Sequence, residues 1–593
     1  MSGEKRPFLD VENSATGRAW RHRLDVRQEQ LATAIAQEHG LPDIVSRVLA
    51  GRGIQADNAE QFLDPTIREL LPDPSTLTDM RQAADRLARA VCNREKVAIF
   101  GDYDVDGAVS SAMLARFLRH YGIEARIYIP DRIFEGYGPN PDAMRELAGS
   151  ASLIVTVDCG TNSAEAISAG RAAGADVLVL DHHQVGGALP ADTIVVNPNR
   201  EDDLSGQGHL CAGGVVFLAL VETVRRLRGA SDLPAPPDLL KYLDLLALAT
   251  VADVVPLTGV NRAFVVKGLI AMRAMANPGI AALVRAARIG EPVSTFHLSF
   301  VLGPRINAGG RIGDAALGAR LLATDDAAEA QQIAETLERL NAERQALEQQ
   351  MVDEAKVEAD AEMAAGGGPE ILVAGSRDWH PGIVGLIASR LKDHARRPAF
   401  AIAFNANGTG TGSGRSIAGF DLGRLVNAAV ERGLLIKGGG HAMAAGITVE
   451  QGKLAQLRGF FDEMAAGRIF ALRDQESVLI DAALSAGGAT IDLVETLERA
   501  GPFGAGHAAP LLALPRHVLA DAKLVGTNHV RAELRSETGQ RLSAIAFRAA
   551  DGDLGRFLLD RRGQTIHVAG TLGINHWNGN RTVQLRIVDA AAA

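Results

Sequence analysis

From Met80 onward, stretches with helical spacing alternate with short apolar runs at Val97 to Phe100, Arg126 to Ile129, Leu153 to Val157, Val177 to Leu180 and Thr193 to Val196. This alternation confines the region to an α/β fold with a parallel sheet, whose strands need helical crossovers to return the chain. Ligands of such sheets collect beyond the carboxyl ends of the strands. Acidic motifs stand at those ends: Gly101-Asp102-Tyr103-Asp104-Val105-Asp106-Gly107 after the first run, Asp158 after the third and Asp181-His182-His183 after the fourth. Asp253, behind the mostly apolar Leu245 to Ala252, is read as lying in the same strand-end context.

The 593 residues exceed what one hydrophobic core serves, so several domains are expected. We divide the chain into an N-terminal helical cap (1–79), an α/β domain (80–320), a long connecting helix (321–368), a second α/β domain (369–470) and a β-barrel (471–593). The cap rests on a short helix with Ile44, Val45, Val48 and Leu49, a glycine turn, and a second helix ending near Phe62-Leu63. Asp325 to Ala365 places Ile333, Leu337, Leu340, Leu347 and Met351 at helical spacing and closes on Gly366-Gly367-Gly368, a glycine stop. In the second α/β segment, strands near Ile371 to Ala374 and Ala399 to Phe404 are accompanied by glycine-rich loops at Gly408 to Gly414 and Gly438 to Gly440. From Val478 to Ala593, many short strand-like runs between turn residues fit a small barrel.

No apolar stretch reaches the ~20 residues a membrane span needs, and Met1 to Asp10 is polar, so the chain reads as cytoplasmic. Cys92, Cys159 and Cys211 have no CxxC spacing, which argues against a disulfide framework or a cysteine zinc site; all three are expected in the core. The net charge of -10 does not advertise a nucleic-acid binder. An aspartate-rich metal centre is neutralised by its own ions, however, so local basic clusters matter more than the total.

Three alternating aspartates between a strand and a helix concentrate negative charge where hard divalent cations need oxygen ligands. Asp102 to Gly107 begins like an EF-hand loop, but the twelfth position is Met113, where a bidentate glutamate is required. Helix capping would explain one of these aspartates, not all three. A lone aspartate after a strand is usually a cap or turn residue; the whole set reverses that reading. Asp104, Asp106, Asp158, His182 and Asp253 make a mixed carboxylate and imidazole set suited to Mn²⁺ and tolerable for Mg²⁺, with one carboxylate bridging two ions. Two ions about 3.5–4 Å apart would clamp a phosphoryl group and generate hydroxide. Adjacent side chains on extended backbone diverge, so His183 is assigned to the scissile phosphate or leaving oxygen, with a packed structural histidine as the alternative. Asp181 is read as an acceptor that orients an imidazole.

Gly438 to His441 and Gly412 to Ser416 read as turns whose bare amides approach phosphate oxygens, Arg415 adding a bidentate donor; flexible connections look similar. The motifs GDYDVDG, VTVDCG, DHH and ATVADVVPL resemble, in order and spacing, those of the DHH phosphoesterase superfamily. IPDRIFEGYG, GPRINAGGR, WHPGIVGLIASRL, GSGRSIAGFDL, GGGHAMAAG and PFGAGH are similar to its branch of single-strand-specific 5′-exonucleases, and the likeness runs from about Leu41 to Asp589. One position departs: His507 stands where that branch has asparagine.

The resemblance implies two α/β domains, DHH and DHHA1, joined by a long helix and followed by an OB-type β-barrel. It implies 5′→3′ hydrolysis of single-stranded DNA with two Mn²⁺ or Mg²⁺ ions, releasing 5′-mononucleotides in DNA repair and recombination. Asp102, His183, Arg305 and Asn307 would be catalytic, and Arg132, Arg311, Ser413, Arg415, Ser416, Gly439, Gly440 and His441 would bind substrate. Arg305, Ser413 and Arg415 would anchor a terminal 5′-phosphate. In the barrel, Phe547, His576, Trp577, Arg581 and Gln584 would stack on bases or contact the backbone, while Phe547 and Trp577 are equally readable as core. The implied partners are a single-strand-binding protein and a RecQ-type helicase, with the chain itself a monomer. One rival is a DHH phosphoesterase of short oligonucleotides, cyclic dinucleotides or pyrophosphate, which would require neither cap nor barrel. The other is a non-catalytic replication scaffold, in which lost ligands would be expected.

Overall fold

The computed structural model describes residues 5–132, 134–364, 368–474, 476–577 and 580–593, with the backbone alone at 474, 576 and 577. Two units are distinguished: residues 70–473, and residues 1–69 together with 474–593.

The larger unit is built on a parallel sheet of β1 (Val97–Gly101), β2 (Arg126–Tyr128), β3 (Leu153–Val157), β4 (Asp176–Leu180) and β5 (Ile194–Val196), in the order β2-β1-β3-β4-β5. Strands β1 and β3 are buried throughout, which is why they read as unbroken apolar runs. Gly101, Val157, Leu180 and Val196 lie abreast, so Asp102, Asp158, Asp181 and Asn197 leave the sheet side by side. The chain crosses from β1 to β2 on one side and then to β3 on the other, and this reversal opens a crevice at the strand ends.

Helix α1 (Val105–His120) starts from the β1 loop with Asp104 as its N-cap, accepting from the Gly107 amide at 3.0 Å. Helix α2 (Ala212–Leu227) packs beside it. The strand-end reading of Asp253 is corrected here: Leu243–Ala252 is a helix, α3, and Asp253 is its C-cap. Packed among α1, α2 and α4 (Gly259–Met272), α3 is buried on all sides and apolar but for Asp244 and Thr250, and such a short run has no period that separates helix from buried strand.

Helix α5 (Gly303–Ile312) lies against α6 (Ala327–Ala364), the long connection foreseen in the sequence; Ala365 to Gly367, most of its glycine stop, lie outside the described residues. Beyond it, β6 (Leu372–Ser376), α7 (Val384–Ala395), β7 (Ala399–Phe404), β8 (Thr409–Arg415), β9 (Lys437–Gly440) and β10 (Ala444–Glu450) form the second α/β layer, with sheet order β9-β10-β8-β7-β6. The supposed glycine loops are therefore strands. Along β8, Gly410, Gly412 and Gly414 alternate onto the face covered by Phe400, Ile402 and Phe404. A Cβ on Gly412 would come within 2.8 Å of Ile402 and 2.9 Å of Ile447. Strand β8 is laddered on both sides, to β7 and β10, so its glycines make room for packing rather than offering a row of bare amides to phosphate.

In the smaller unit, β11 (Leu512–Val525), β12 (His529–Arg535), β13 (Arg541–Ala546), β14 (Thr565–Trp577) and β15 (Asn580–Ala592) close as β11-β12-β13-β15-β14-β11, which removes free sheet edges. Leu514, Leu519, Val530, Leu534, Val568 and Leu585 fill its core. The amino-terminal segment adds helices at Asp43–Gly51 and Ala59–Leu63 and a strand not foreseen in the sequence, Ala19–His22, parallel to Ser477–Ile480. Fully buried Trp20 donates its indole N–H to Asp589 at 3.0 Å. His507 is buried too, bonded to the Ala500 carbonyl at 2.8 Å, stacked on Phe503 and edge-on to Phe62. Cys159 and Cys211 are core residues; Cys92, at the exposed end of its helix, is not. Among the described residues no helix is long and apolar enough to cross a membrane.

Candidate metal centre

Three overlapping groups of ligand atoms meet at the strand ends: Asp158, His182 and His183; Asp106, His182 and Asp253; Asp102, Asp104 and Asp158, with all atoms of a group within 4.8 Å of one another. His182 Nε2 lies 3.2 Å from Asp158 Oδ1 and 3.8 Å from both Asp106 and Asp253. His182 Nδ1 faces the Leu210 carbonyl at 3.0 Å, and donation there leaves Nε2 as the ligand nitrogen. Asp106 is buried in the first turn of α1, where it accepts from Ala212 N at 2.6 Å and Gly213 N at 2.8 Å, the first amides of α2. Asp158 sits in the left-handed region at φ 61°, a cost that the surrounding packing must hold in place.

The two histidines do not diverge as extended backbone would make them. Their rings lie 4.7 Å apart, and both approach Asp158. Asp181 is the reason: Oδ1 accepts from His182 N at 2.7 Å, His183 N at 3.2 Å and His183 Nδ1 at 2.8 Å, while Oδ2 accepts from Thr161 N at 3.0 Å. Asp181 thus bends the chain and orients His183. Burial works against its charge, yet the bonds from His183 and Thr161 hold its carboxyl below the usual range. Burial also lowers the His183 imidazole, but Asp181 and the nearby carboxylates outweigh that and raise it.

The remaining acids respond to crowding. Burial, then repulsion from Asp106, Asp104, Asp102 and Asp253, lifts Asp158 well above the carboxylate range; burial and Asp104 do the same to Asp102. Asp253 is pushed up to about 9 by burial and by Asp106 and Asp104. Among the described residues nothing makes a well-aligned hydrogen bond to buried Asp158 Oδ1, although His182 Nε2 stands 3.2 Å away. A set of carboxylates that cannot all ionise alone, one with an orphaned oxygen, fits divalent cations. Asp102, expected to be catalytic, stands among the ligand groups.

Beside the acids lies a cationic group. The Arg132 guanidinium lies over the Tyr103 ring at 5.1 Å. Arg311 is pushed down to about 10 by burial and by Arg132, Arg344 and Arg415, and Arg415 is lowered by burial and Arg132. Arg415 donates to Ser413 Oγ at 2.8 Å. Gly439 pairs with Gly446, which pairs with Ser413, so Gly439 and Ser413 share one rung of the sheet, and Gly440 adjoins it at φ 152°. His441 is exposed at the end of that strand. Other expected residues are held elsewhere. Arg305 grips Glu338 of α6 through two nitrogens and donates to the Val301 carbonyl at 2.7 Å. Ser416 is buried and donates to the Phe420 carbonyl at 2.7 Å. Asn307 Oδ1 is buried on α5 and has no hydrogen-bond partner among the described residues.

On the barrel, Phe547 is half exposed, edge-on to His529 at 5.3 Å and 5.9 Å from the Arg586 guanidinium, so it is a surface ring rather than core. Gln584 reaches Ser543 at 3.4 Å and Arg581 pairs with Glu495 at 2.5 Å. The side chains of His576 and Trp577 lie outside the described residues. Two contributors had no assigned role in the sequence reading. Asn197 donates to Thr161 Oγ1 at 2.9 Å and to the His183 carbonyl at 2.8 Å, and the Tyr137 hydroxyl lies 3.1 Å from His183 Nε2. Asn197 follows the fifth apolar run as the aspartates follow theirs, a signal that was available.

A strand-end cluster of carboxylates and imidazoles on this sheet, followed by a second α/β layer and a closed barrel, defines a DHH-type phosphoesterase. Family models match in that order: the DHH family N-terminal domain over residues 96–250, the DHHA1 domain over 368–467 and the RecJ OB domain over 480–589. The single-stranded-DNA-specific exonuclease RecJ of Salmonella typhimurium is 35% identical over 569 residues, covering 93% of this chain and 96% of its own. The RecJ of Thermus thermophilus is 34% identical over 531 residues, 89% of this chain and 73% of its own. The crystal structure of the Thermus thermophilus RecJ in complex with Mn²⁺ matches with a TM-score of 0.78 at 29% identity, over 95% of this chain and 78% of that one. The chain belongs to the RecJ family.

Proposed function

We propose that the chain is a single-stranded-DNA-specific exonuclease that hydrolyses phosphodiester bonds from a 5′ end and releases 5′-mononucleotides. The observation that carries this reading is the ligand cluster, with Arg132 near enough to act on the Asp102 charge and Arg311 and Arg415 near enough to Arg132 to be lowered by it. Mn²⁺ or Mg²⁺ would be held by Asp104, Asp106, Asp158, His182 and Asp253, and when bound supplies Lewis acidity toward the phosphodiester and a lower pKa for the attacking water. Asp106, fixed by two amides, and His182, fixed by the Leu210 carbonyl, keep the ligand atoms in place. His183, gripped at Nδ1 by Asp181, presents Nε2 as a proton donor to a phosphate or leaving oxygen. Arg415 with Ser413, Arg132 and Arg311 binds the terminal 5′-phosphate and thereby sets which phosphodiester reaches the acids. Arg305 joins them by exchanging the Glu338 carboxylate for phosphate.

Phe547, with His529 and Arg586, is suited to stacking on bases of a single strand. By the same reading the chain is a cytoplasmic monomer serving DNA repair and recombination alongside a single-strand-binding protein and a RecQ-type helicase. The test is incubation with Mn²⁺ or Mg²⁺ and 5′-phosphorylated single-stranded DNA, duplex DNA, a dinucleotide and pyrophosphate, beside Asp106→Ala. Only the long single strand should be consumed, and only by the unaltered protein. Turnover of dinucleotide or pyrophosphate without digestion of the strand would overturn the proposal.

A further inference from the structure

Behind the ligand cluster, one buried amide ties together two segments that carry its members. Asn261 on α4 has no exposed surface, and its Nδ2 donates to the His209 carbonyl at 2.7 Å and the Pro256 carbonyl at 3.1 Å. Both partners are carbonyl oxygens, so the NH₂ end of the amide must face them. On one side, His209 leads into Leu210, whose carbonyl receives His182 Nδ1, and into Ala212 and Gly213, whose amides hold both oxygens of Asp106. On the other, Pro256 closes the turn that begins at Asp253 and passes through Val254 at φ 61°. His182, Asp106 and Asp253 are the three members of one ligand group, and they come from three separate elements.

We propose that Asn261 is a positioning residue for the metal centre, clamping the 209–213 segment to the 253–256 turn and so fixing His182 and Asp106 relative to Asp253. The inference rests on the metal reading given above. Asn261 bonds both the His209 and Pro256 carbonyls, so losing it would let the two loops shift, and a cation site tolerates little displacement of its ligands. Asn277 serves as a matched comparison. It is a buried amide of the same unit that bonds the Leu322 carbonyl and the Ile280 amide, both at 3.1 Å, partners that lie outside the segments of the cluster.

The experiment is Mn²⁺ titration by calorimetry of the full chain stripped with chelator, for the unaltered protein, Asn261→Ala, Asn261→Ser, Asn277→Ala and Asp253→Asn, each checked for cooperative thermal unfolding. Asn261→Ala should weaken Mn²⁺ binding about 10–100-fold. Asn261→Ser, which keeps a donor, should lose less, and Asn277→Ala should lower Tm while leaving affinity unchanged. Combined with Asp253→Asn, the Asn261→Ala effect should largely vanish, because both act on one ligand group. Unchanged Mn²⁺ affinity in folded Asn261→Ala, a loss in Asn261→Ser greater than that in Asn261→Ala, or a loss in Asn277→Ala equal to that in Asn261→Ala, would overturn the proposal. Failure of the unaltered protein to bind Mn²⁺ would instead overturn the metal reading beneath it.

Discussion

Arg415 projects from β8 to Ser413 and lies close enough to Arg132 for their charges to oppose each other; a phosphate dianion would relieve that opposition. Arg415→Ala should therefore erase the preference for 5′-phosphoryl over 5′-hydroxyl ends, with a loss of about 10–100-fold in kcat/KM on phosphorylated strands, the worth of one charge-assisted bond. Steady-state kinetics on the two kinds of end would check this. Asp244, buried in the first turn of α3, gives a separate prediction about stability. Burial lifts its carboxyl from 3.8 to about 6, so the folded chain binds more protons than the unfolded chain between those values. Stability from this group falls as pH rises from about 4 to about 6 and stays low above it. Asp244→Asn should accordingly stabilise by up to about 3 kcal/mol at pH 7 and by almost nothing at pH 4, measured by denaturant unfolding at both. At this scale the aspartates and histidines were legible because each follows a recognisable element. Asn261 was not, because an amide's role depends on carbonyls that only the fold brings near, whereas Asn197 stands behind an apolar run as the aspartates do.

Strand β8 shows how an element can be read correctly for composition and wrongly for shape. Its glycines suggested a loop, yet their spacing of two matches a strand whose inner face is filled by Phe400, Ile402 and Phe404 from the neighbour. Gly412→Val should cost about 1–3 kcal/mol by overpacking, visible as a lower Tm. Gly446→Ala, on β10 with no atom within 4 Å of the new methyl, should leave Tm unchanged. The parallel strands were legible because burial on both faces writes a continuous apolar run. The same rule misled at α3, where burial on every side of a helix writes a similar run.

For the whole molecule, the order of the α/β layers and the barrel could be followed along the sequence because each of their sheets is drawn from one continuous stretch of chain. The amino-terminal strand could not. Ala19–His22 completes its sheet with Ser477–Ile480, and Trp20 finds its hydrogen-bond partner at Asp589, so its environment is written at the other end of the chain. The net charge of -10 also concealed the character of the site, since acids and arginines are segregated within it. The central claim is that this segregated site removes nucleotides one at a time from a 5′ end with metal. The most direct test is a time course on a 5′-phosphorylated, 3′-labelled single strand with Mn²⁺, for the unaltered protein and Asp158→Ala, resolved to single nucleotides. Progressive shortening from the 5′ end with release of 5′-mononucleotides is expected, abolished in the variant and by chelator; internal fragments, shortening from the 3′ end or chelator-resistant cleavage would contradict a metal-dependent 5′-exonuclease.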